Sequence, residues 1–594
     1  MMFCLDDGAE LLYGPALTDE PATAVFTVPP SGGSSNVSTA GQTEIYPAGW
    51  EAEPPNSVVD STERRSLSAH RAAEPQEKSI SDDRAAEPQE KSISDDRAAK
   101  PRKAFRKALA ILGILAAILI TAVFGFRYFY GNDRISSIAV LPFENRSGDP
   151  NSEYLSDGLA ESLIYRLSRL PDLRVSPTSS VIRYKGKEAN LNTIASDLGV
   201  EAVMTGRLTQ IGDKLTISVE LVQVQNNKLL WGEQYDRTMS DLLATQREIA
   251  AEIASKLQLK LSGDGEKALT KSYTVNNEAY QLYLKGRYHF ARRSKPDVER
   301  SVEYFKQAIA LDPNFALAYA AMADSYNGMT AYPYMAPKEA VPLAKAAANR
   351  ALEIDPTLAE AHTALANSLA CFDWNWKDSE REFKRAIELN PDDAGTHWRY
   401  GMFFLMPVGR LEEAVTEGKR SLDLEPLDLN HGANLSGLYF YARRYDEALE
   451  QARQVHGLDE NFIVGRWALS QVSIEKGMYA DVIELNEKAL QSDPTNPVFL
   501  RFAGIAYAKA GRRNEAEKII DSFRELAKTQ YVMSYHLALI YSAMGDKEKA
   551  LAELENAFNE HDYLLPRIKV EPFLDPLRDD PRFTAIVRRM GLPE

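Results

Sequence analysis

Between Glu278 and Asp562 one pattern recurs eight times: a small residue, an aromatic, an alanine, then a helix stop. The stops fall at Pro313, Pro356, Pro391, Pro426, Glu460 (in the place of a proline) and Pro494, spaced 43, 35, 35, 34 and 34 residues. A unit of about 34 residues holds two helices and cannot bury its apolar face alone. It must stack on its neighbours. The chain is therefore expected to be mostly α, built around an α-solenoid over residues 278–562, with a concave face suited to holding another polypeptide.

Three columns of small residues support that register. The first-helix column reads Gly286, Ala323, Ala366, Gly401, Ser436, Ser470, Gly504 and Ala538. The second-helix column reads Ser301, Ala344, Ser379, Ala414, Ala448, Val482, Ala516 and Ala550, and a later one runs from Ala308 to Ala557. Small side chains let paired helices approach closely. The columns resemble tetratricopeptide repeats, which implies about eight units in a right-handed superhelix that binds a protein or peptide in its groove. First-helix positions expected to line that groove are Asn367, Trp398, Arg399, Asn434, Trp467, Gln471, Arg501 and Tyr535. Trp, Tyr and Arg are the types that most often dominate interface energy. The lysine/asparagine set that clamps a terminal carboxylate in some relatives is not evident. Extra residues around Tyr332–Pro342 predict a longer loop at one rim, and residues 563–594 read as a polar C-terminal cap.

Residues 1–100 are rich in Pro, Ser, Glu and Ala without sustained periodicity, the signature of a disordered arm. They carry RAAEPQEKSISDD twice in tandem, Arg71–Asp83 and Arg84–Asp96, read as a spacer. Residues 108–126, ALAILGILAAILITAVFGF, hold no charge, long enough for one transmembrane helix. Lys100, Arg102, Lys103, Arg106 and Lys107 precede it, so the positive-inside bias puts the N-terminus in the cytoplasm. The expectation is a single-pass protein of the bacterial inner membrane, with everything beyond Arg127 in the periplasm.

Residues 135–262 pattern as a small α/β domain. Ser136–Phe143 is a β-rich run, and Asn151–Leu170 carries a helical apolar stripe. A short strand follows at Leu173–Ser176 and a helix at Leu191–Leu198. Strands are expected over Ala202–Ile211, Lys214–Gln223 and Lys228–Asp236, then a long helix over Met239–Leu261. The stretches IAVLPFENRSGDPNSEYLSDGLAESL (Ile138–Leu163), DLGVEAVMTGRL (Asp197–Leu208) and LLWGEQYDR (Leu229–Arg237) resemble the TolB amino-terminal-like (FlgO-like) domain of bacterial envelope proteins. That resemblance implies a non-catalytic domain, often set between a membrane helix and repeats of this kind. In such relatives the cytoplasmic end frequently carries a DNA-binding domain, a kinase or a cyclase.

Chemistry is sparse. The net charge of −16 argues against a phosphate-binding surface, so no nucleic acid is expected. Cys4 and Cys371 are the only cysteines and build neither a disulfide framework nor a CxxC site. FCLDDGAELLYGP (Phe3–Pro15) looks like the latter half of a zinc ribbon, but without four ligands zinc is not expected there. His362 and His397 occupy the same place in successive repeats and read as packing, whereas His431 lies one position off. Asp149, Glu153 and Asp157 could share acid/base work, yet no His or Cys lies between Ile135 and Ser262, and they read as caps and solvated charge. The chain is thus expected to be no enzyme, with no cofactor, no metal and no small-molecule substrate. Two functions remain: a membrane-anchored scaffold for protein–protein interaction in the envelope, or the sensory half of a signalling or transcription-regulating receptor lacking its own output domain.

Overall fold

The structure, a computed structural model, describes residues 135–594 apart from 150–151, 171–172, 188–189, 260–262, 264–266, 268, 270 and 594. The arm expected over 1–100 and the span expected over 108–126 lie outside the described residues. Among the described residues no helix is long and apolar enough to cross a membrane. The 18-residue helix Pro337–Ile354 shows why: it carries Lys338, Glu339, Lys345, Arg350 and Glu353 on its outer faces. The fold class is corrected accordingly, to an α/β domain followed by a helical solenoid. The single-pass inner-membrane placement, with a periplasmic C-terminal part, is withdrawn with it.

Among the described residues six strands, β1 (Ser137–Val140), β2 (Glu144–Asn145), β3 (Arg174–Val175), β4 (Ala202–Ile211), β5 (Lys214–Gln223) and β6 (Lys228–Thr238), form one mixed sheet in the order β3-β1-β4-β5-β6, with β2 pairing beside β4. β1 is buried at every position and pairs in parallel with β3 and β4. An apolar run without alternation suits a central strand covered on both faces. β4, β5 and β6 form an antiparallel meander. Its first turn needs Gly212, whose φ of +62° is left-handed. Helices Glu153–Leu167 and Leu242–Lys256 pack together, Ser162 Oγ of the first donating to Gln246 Oε1 of the second at 3.1 Å, and the short helix Leu191–Leu198 is capped by Asn190.

From Asn277 to Glu560 sixteen main helices pack as eight antiparallel pairs. The small columns lie where helices cross. Serines in them are not orphaned: Ser379 Oγ donates to the Ala366 carbonyl, Ser421 Oγ to Ala394 and Ser436 Oγ to Ala448, each at 2.8–2.9 Å. The column thus tolerates a hydroxyl because the facing helix offers a carbonyl. His362 and His397 repeat one another in detail. Nδ1 of each meets a glutamate of the paired helix, Glu382 at 2.6 Å and Glu417 at 2.5 Å, and Nε2 meets the carbonyl of Pro356 or Pro391.

The extra residues of the second repeat lengthen its rim turn by only two residues, to five against the three of Ala442–Arg444. They extend its helices to Ala316–Ala331 and Pro337–Ile354, of 16 and 18 residues, leaving Tyr332–Ala336 as the turn. Two first helices end instead in π-helical turns, Leu369–Asp373 and Tyr400–Leu405.

The array closes on itself. The turn Phe372–Trp376 of the third repeat reaches the end of the eighth: Phe372 and Trp374 both stack on His561 with ring centroids 4.5 Å away. Trp374 also meets Phe558 at 4.8 Å, and Trp376 Nε1 donates to the Met590 carbonyl at 2.8 Å. The α/β domain packs on the first repeats through helix Glu153–Leu167, where Gly158 admits Leu284 and Glu161 pairs with Arg287. Arg169–Glu360 at 3.2 Å and Lys271–Asp355 at 2.6 Å extend that contact.

Candidate functional site: the concave face and its C-terminal plug

The eight residues expected to line the groove fall into two groups. Trp467, Gln471, Arg501 and Tyr535 converge, but not on open space. After the last repeat the chain turns inward through Leu565–Lys569 and Pro572–Leu577 and covers them. Gln471, Arg501 and Tyr535 are buried, at 4%, 3% and 1% exposure. Trp467 lies between two guanidiniums, Arg501 at 4.7 Å and Arg567 of the plug at 5.2 Å from its ring centre. Glu571 and Phe573 complete the wall of a cavity of about 10 Å³, room for about one water molecule.

This interior is charged and under-satisfied. Arg501 Nε and Nη2 and the Tyr535 hydroxyl have no hydrogen-bond partner among the described residues. Burial pulls the Arg501 guanidinium down to about 10, and burial pushes the Glu571 carboxyl up to about 7. The fully buried Asp562 accepts from the Tyr531 hydroxyl and from the Tyr535 backbone N–H at 2.9 Å. Burial pushes its carboxyl up to about 7 as well. An unfolded aspartate titrates near 3.9, so between the two values the folded state holds more protons and stability falls as pH rises. Asp562→Asn removes this titration. The loss of unfolding free energy from pH 5 to pH 8, read by urea denaturation, should be smaller in the variant by about 2 kcal/mol.

The other group lies on the third to fifth repeats. Asn367 is buried, its Oδ1 meeting Cys371 Sγ at 3.3 Å. Arg399 pairs with Asp324 at 3.1 Å and its guanidinium carbon stands 5.4 Å over Trp398. Trp398, Arg399 and Asn434 are only half-buried. Trp398 packs edge-on against Phe403, which in turn meets Tyr563. The plug was missed because residues 563–594 read as a cap over the last repeat. The apolar Leu565, Ile568, Phe573 and Leu574, all buried in the structure, were the signal in the sequence that this segment enters the fold rather than covers its end.

Of the acids considered for catalysis, Glu153 and Asp157 both pair with Lys185, at 2.6 and 2.7 Å. Burial pushes Asp157 up, while Glu153 is lowered because Lys185 and Asn145 more than offset its burial. One further cluster was not foreseen: Glu425, Asp428 and His431 bring their donor atoms within 4.8 Å of one another.

Helix pairs with small crossing columns, stacked behind an α/β domain, define a tetratricopeptide-repeat protein. Residues 532–559 match a tetratricopeptide repeat family model. Residues 134–252 match the model for the HilA/YgeH-like transcriptional regulator, second domain. Among curated proteins, putative adenylate cyclase 3 of Rhizobium meliloti is 29% identical over 242 residues, 39% of this chain and 40% of that protein. The chain thus spans 40% of the length of that relative. Transcriptional regulator HilA of Salmonella paratyphi A is 22% identical over 456 residues, 74% of this chain and 78% of the regulator. Of solved structures, a thermophilic tetratricopeptide protein of Thermus thermophilus is 16% identical, covers 33% of this chain and 99% of its own, and gives a TM-score of 0.29. TolB from Acinetobacter baumannii covers 22% of this chain and 30% of its own at 21% identity, with a TM-score of 0.17.

Proposed function

We propose that this chain is the partner-sensing part of a regulatory system, a binding scaffold rather than an enzyme. The observation that carries the reading is the span of the likeness to HilA, which runs through both the α/β domain and the repeats. Repeats of this type hold proteins or peptides, and the net charge of −16 favours a protein partner over nucleic acid. The contact of Gly158 with Leu284 and the Glu161–Arg287 pair give a bound partner a route to the α/β domain.

The plug reaches back to Phe440 and Tyr441 of the fifth repeat, so the partner's place is the half-buried stretch left at Trp398, Arg399 and Asn434. A photo-crosslinking amino acid at Trp398, or at Asn434, should trap one discrete protein in the native host. The same probe at the exposed outer-helix Glu484 should not. No adduct above that control at either position would overturn the reading.

A further inference from the structure

The turn from Glu425 to His431 gathers groups that repeat packing does not require. Glu425 ends helix Leu411–Leu424, Asp428 caps helix Leu429–Tyr441, and His431 lies in that helix's first turn. His431 Nδ1 faces Glu425 Oε2 at 3.7 Å. That is too long for a hydrogen bond. Two donors sharing one tetrahedral ion at about 2.1 Å each stand about 3.4 Å apart, close to this spacing.

His431 differs from the paired histidines of the third and fourth repeats. His362 and His397 engage both ring nitrogens. His431 is 6% exposed, and its buried Nδ1 has no hydrogen-bond partner among the described residues. Leaving such a group unsatisfied costs about 1–3 kcal/mol. It points at two carboxylates that, among the described residues, pair with no lysine or arginine. Arg399 is committed to Asp324, and Arg293 donates to Asn430 Oδ1 at 3.0 Å. Asp393, which caps helix Ala394–Arg399, adds a further negative charge nearby.

We propose that Glu425, Asp428 and His431 bind a divalent transition-metal ion of the zinc class. One imidazole and two carboxylates suit such an ion, whereas magnesium and calcium take oxygen ligands. A supporting layer is in place. Ser179 of the α/β domain donates its hydroxyl to Glu425, and the His431 backbone N–H holds Asp428 Oδ1 at 3.0 Å, leaving Oδ2 for the ion. Because Ser179 belongs to the α/β domain, the ion ties that domain to the turn between the fourth and fifth repeats.

The test uses the tag-free full-length chain, stripped with a chelator. Zinc is titrated against a chromophoric competitor, and cobalt is added to follow its visible bands. One high-affinity equivalent is expected, and a cobalt spectrum characteristic of low coordination number. His431→Gln should weaken that site at least about 100-fold, and Ser179→Ala about 10-fold. His362→Gln, as a control, should leave it unchanged. Should His431→Gln fail to fold, Glu425→Gln decides, with the same loss expected. Absence of saturable zinc binding, or a site that survives Glu425→Gln or a folded His431→Gln, overturns the assignment.

Discussion

A chain ending at Asp562 is expected to lose the cooperative folding of its last repeats. The deleted segment contributes Leu565, Ile568, Leu574 and Leu577, each at 0% exposure, together with Phe573 at 1%. Burying a side chain of this size contributes about 1.5–3 kcal/mol. Five of them reach the order of a whole domain's stability, about 5–15 kcal/mol. The loss is compounded on the other side of the interface. Phe440, which meets Phe573 at 5.6 Å, and the Ser542 hydroxyl, which donates to the Phe573 carbonyl at 2.7 Å, would both face water. Hydrogen exchange over residues 497–560 should accelerate strongly, and melting should begin well below that of the full chain. Leu574→Ala is the mild version, expected to cost about 2–5 kcal/mol. A truncated protein that melts within a few degrees of the full chain would show the plug to be an accessory.

Gly286→Val is expected to be the most damaging single change in the first repeat. A Cβ at that position would stand 2.4 Å from Phe305 Cε1, with the rest of the ring edge at 2.7–2.8 Å. The ring cannot swing aside. Phe305 is fully buried, and Tyr283 packs on it at 5.9 Å. Overpacking of this kind costs about 1–3 kcal/mol for an extra methylene or two and more for a branched side chain. The gain in helix propensity from replacing glycine, under about 1 kcal/mol, does not offset it. Chemical denaturation should show a loss of at least about 3 kcal/mol for valine and a smaller one for alanine. Because helix Asn277–Ala291 also carries Leu284 and Arg287, the variant should loosen the α/β domain from the repeats. An alanine variant as stable as the natural protein would contradict this packing.

What could be read from the residues followed the strength of each local signal. β4 and β5 fall at Ala202–Ile211 and Lys214–Gln223, the bounds their alternation predicts, because each has one apolar face and a glycine turn between them. The small columns located helix crossings correctly, since close approach leaves no choice of residue size. Of the extra residues of the second repeat, read as loop, most lie in helix. YPYMAPKEAVP carries three prolines, but Pro337 sits in the helix's first turn, where its missing N–H costs nothing. The groove positions were assigned from spacing on single helices, and spacing says nothing of what a distant segment brings against them. Arg501 and Arg567 are 66 residues apart, and only the fold sets both against Trp467. The Glu425–His431 cluster is local, yet it matches no spacing rule, because one donor ends a helix, one caps the next and one lies inside it.

The clasp of Phe372–Trp376 on His561 and Met590 has a consequence for how such an array can change over time. An open solenoid grows or shrinks by whole units, since each repeat answers only to its neighbours. Here the third repeat must also meet the end of the eighth, so the number of units between them is set by geometry. Inserting or deleting one unit of about 34 residues would carry His561 a full helical step away from Trp374. The repeat count of this protein is therefore a fixed dimension, like the strand number of a closed barrel, and its variation is confined to side chains.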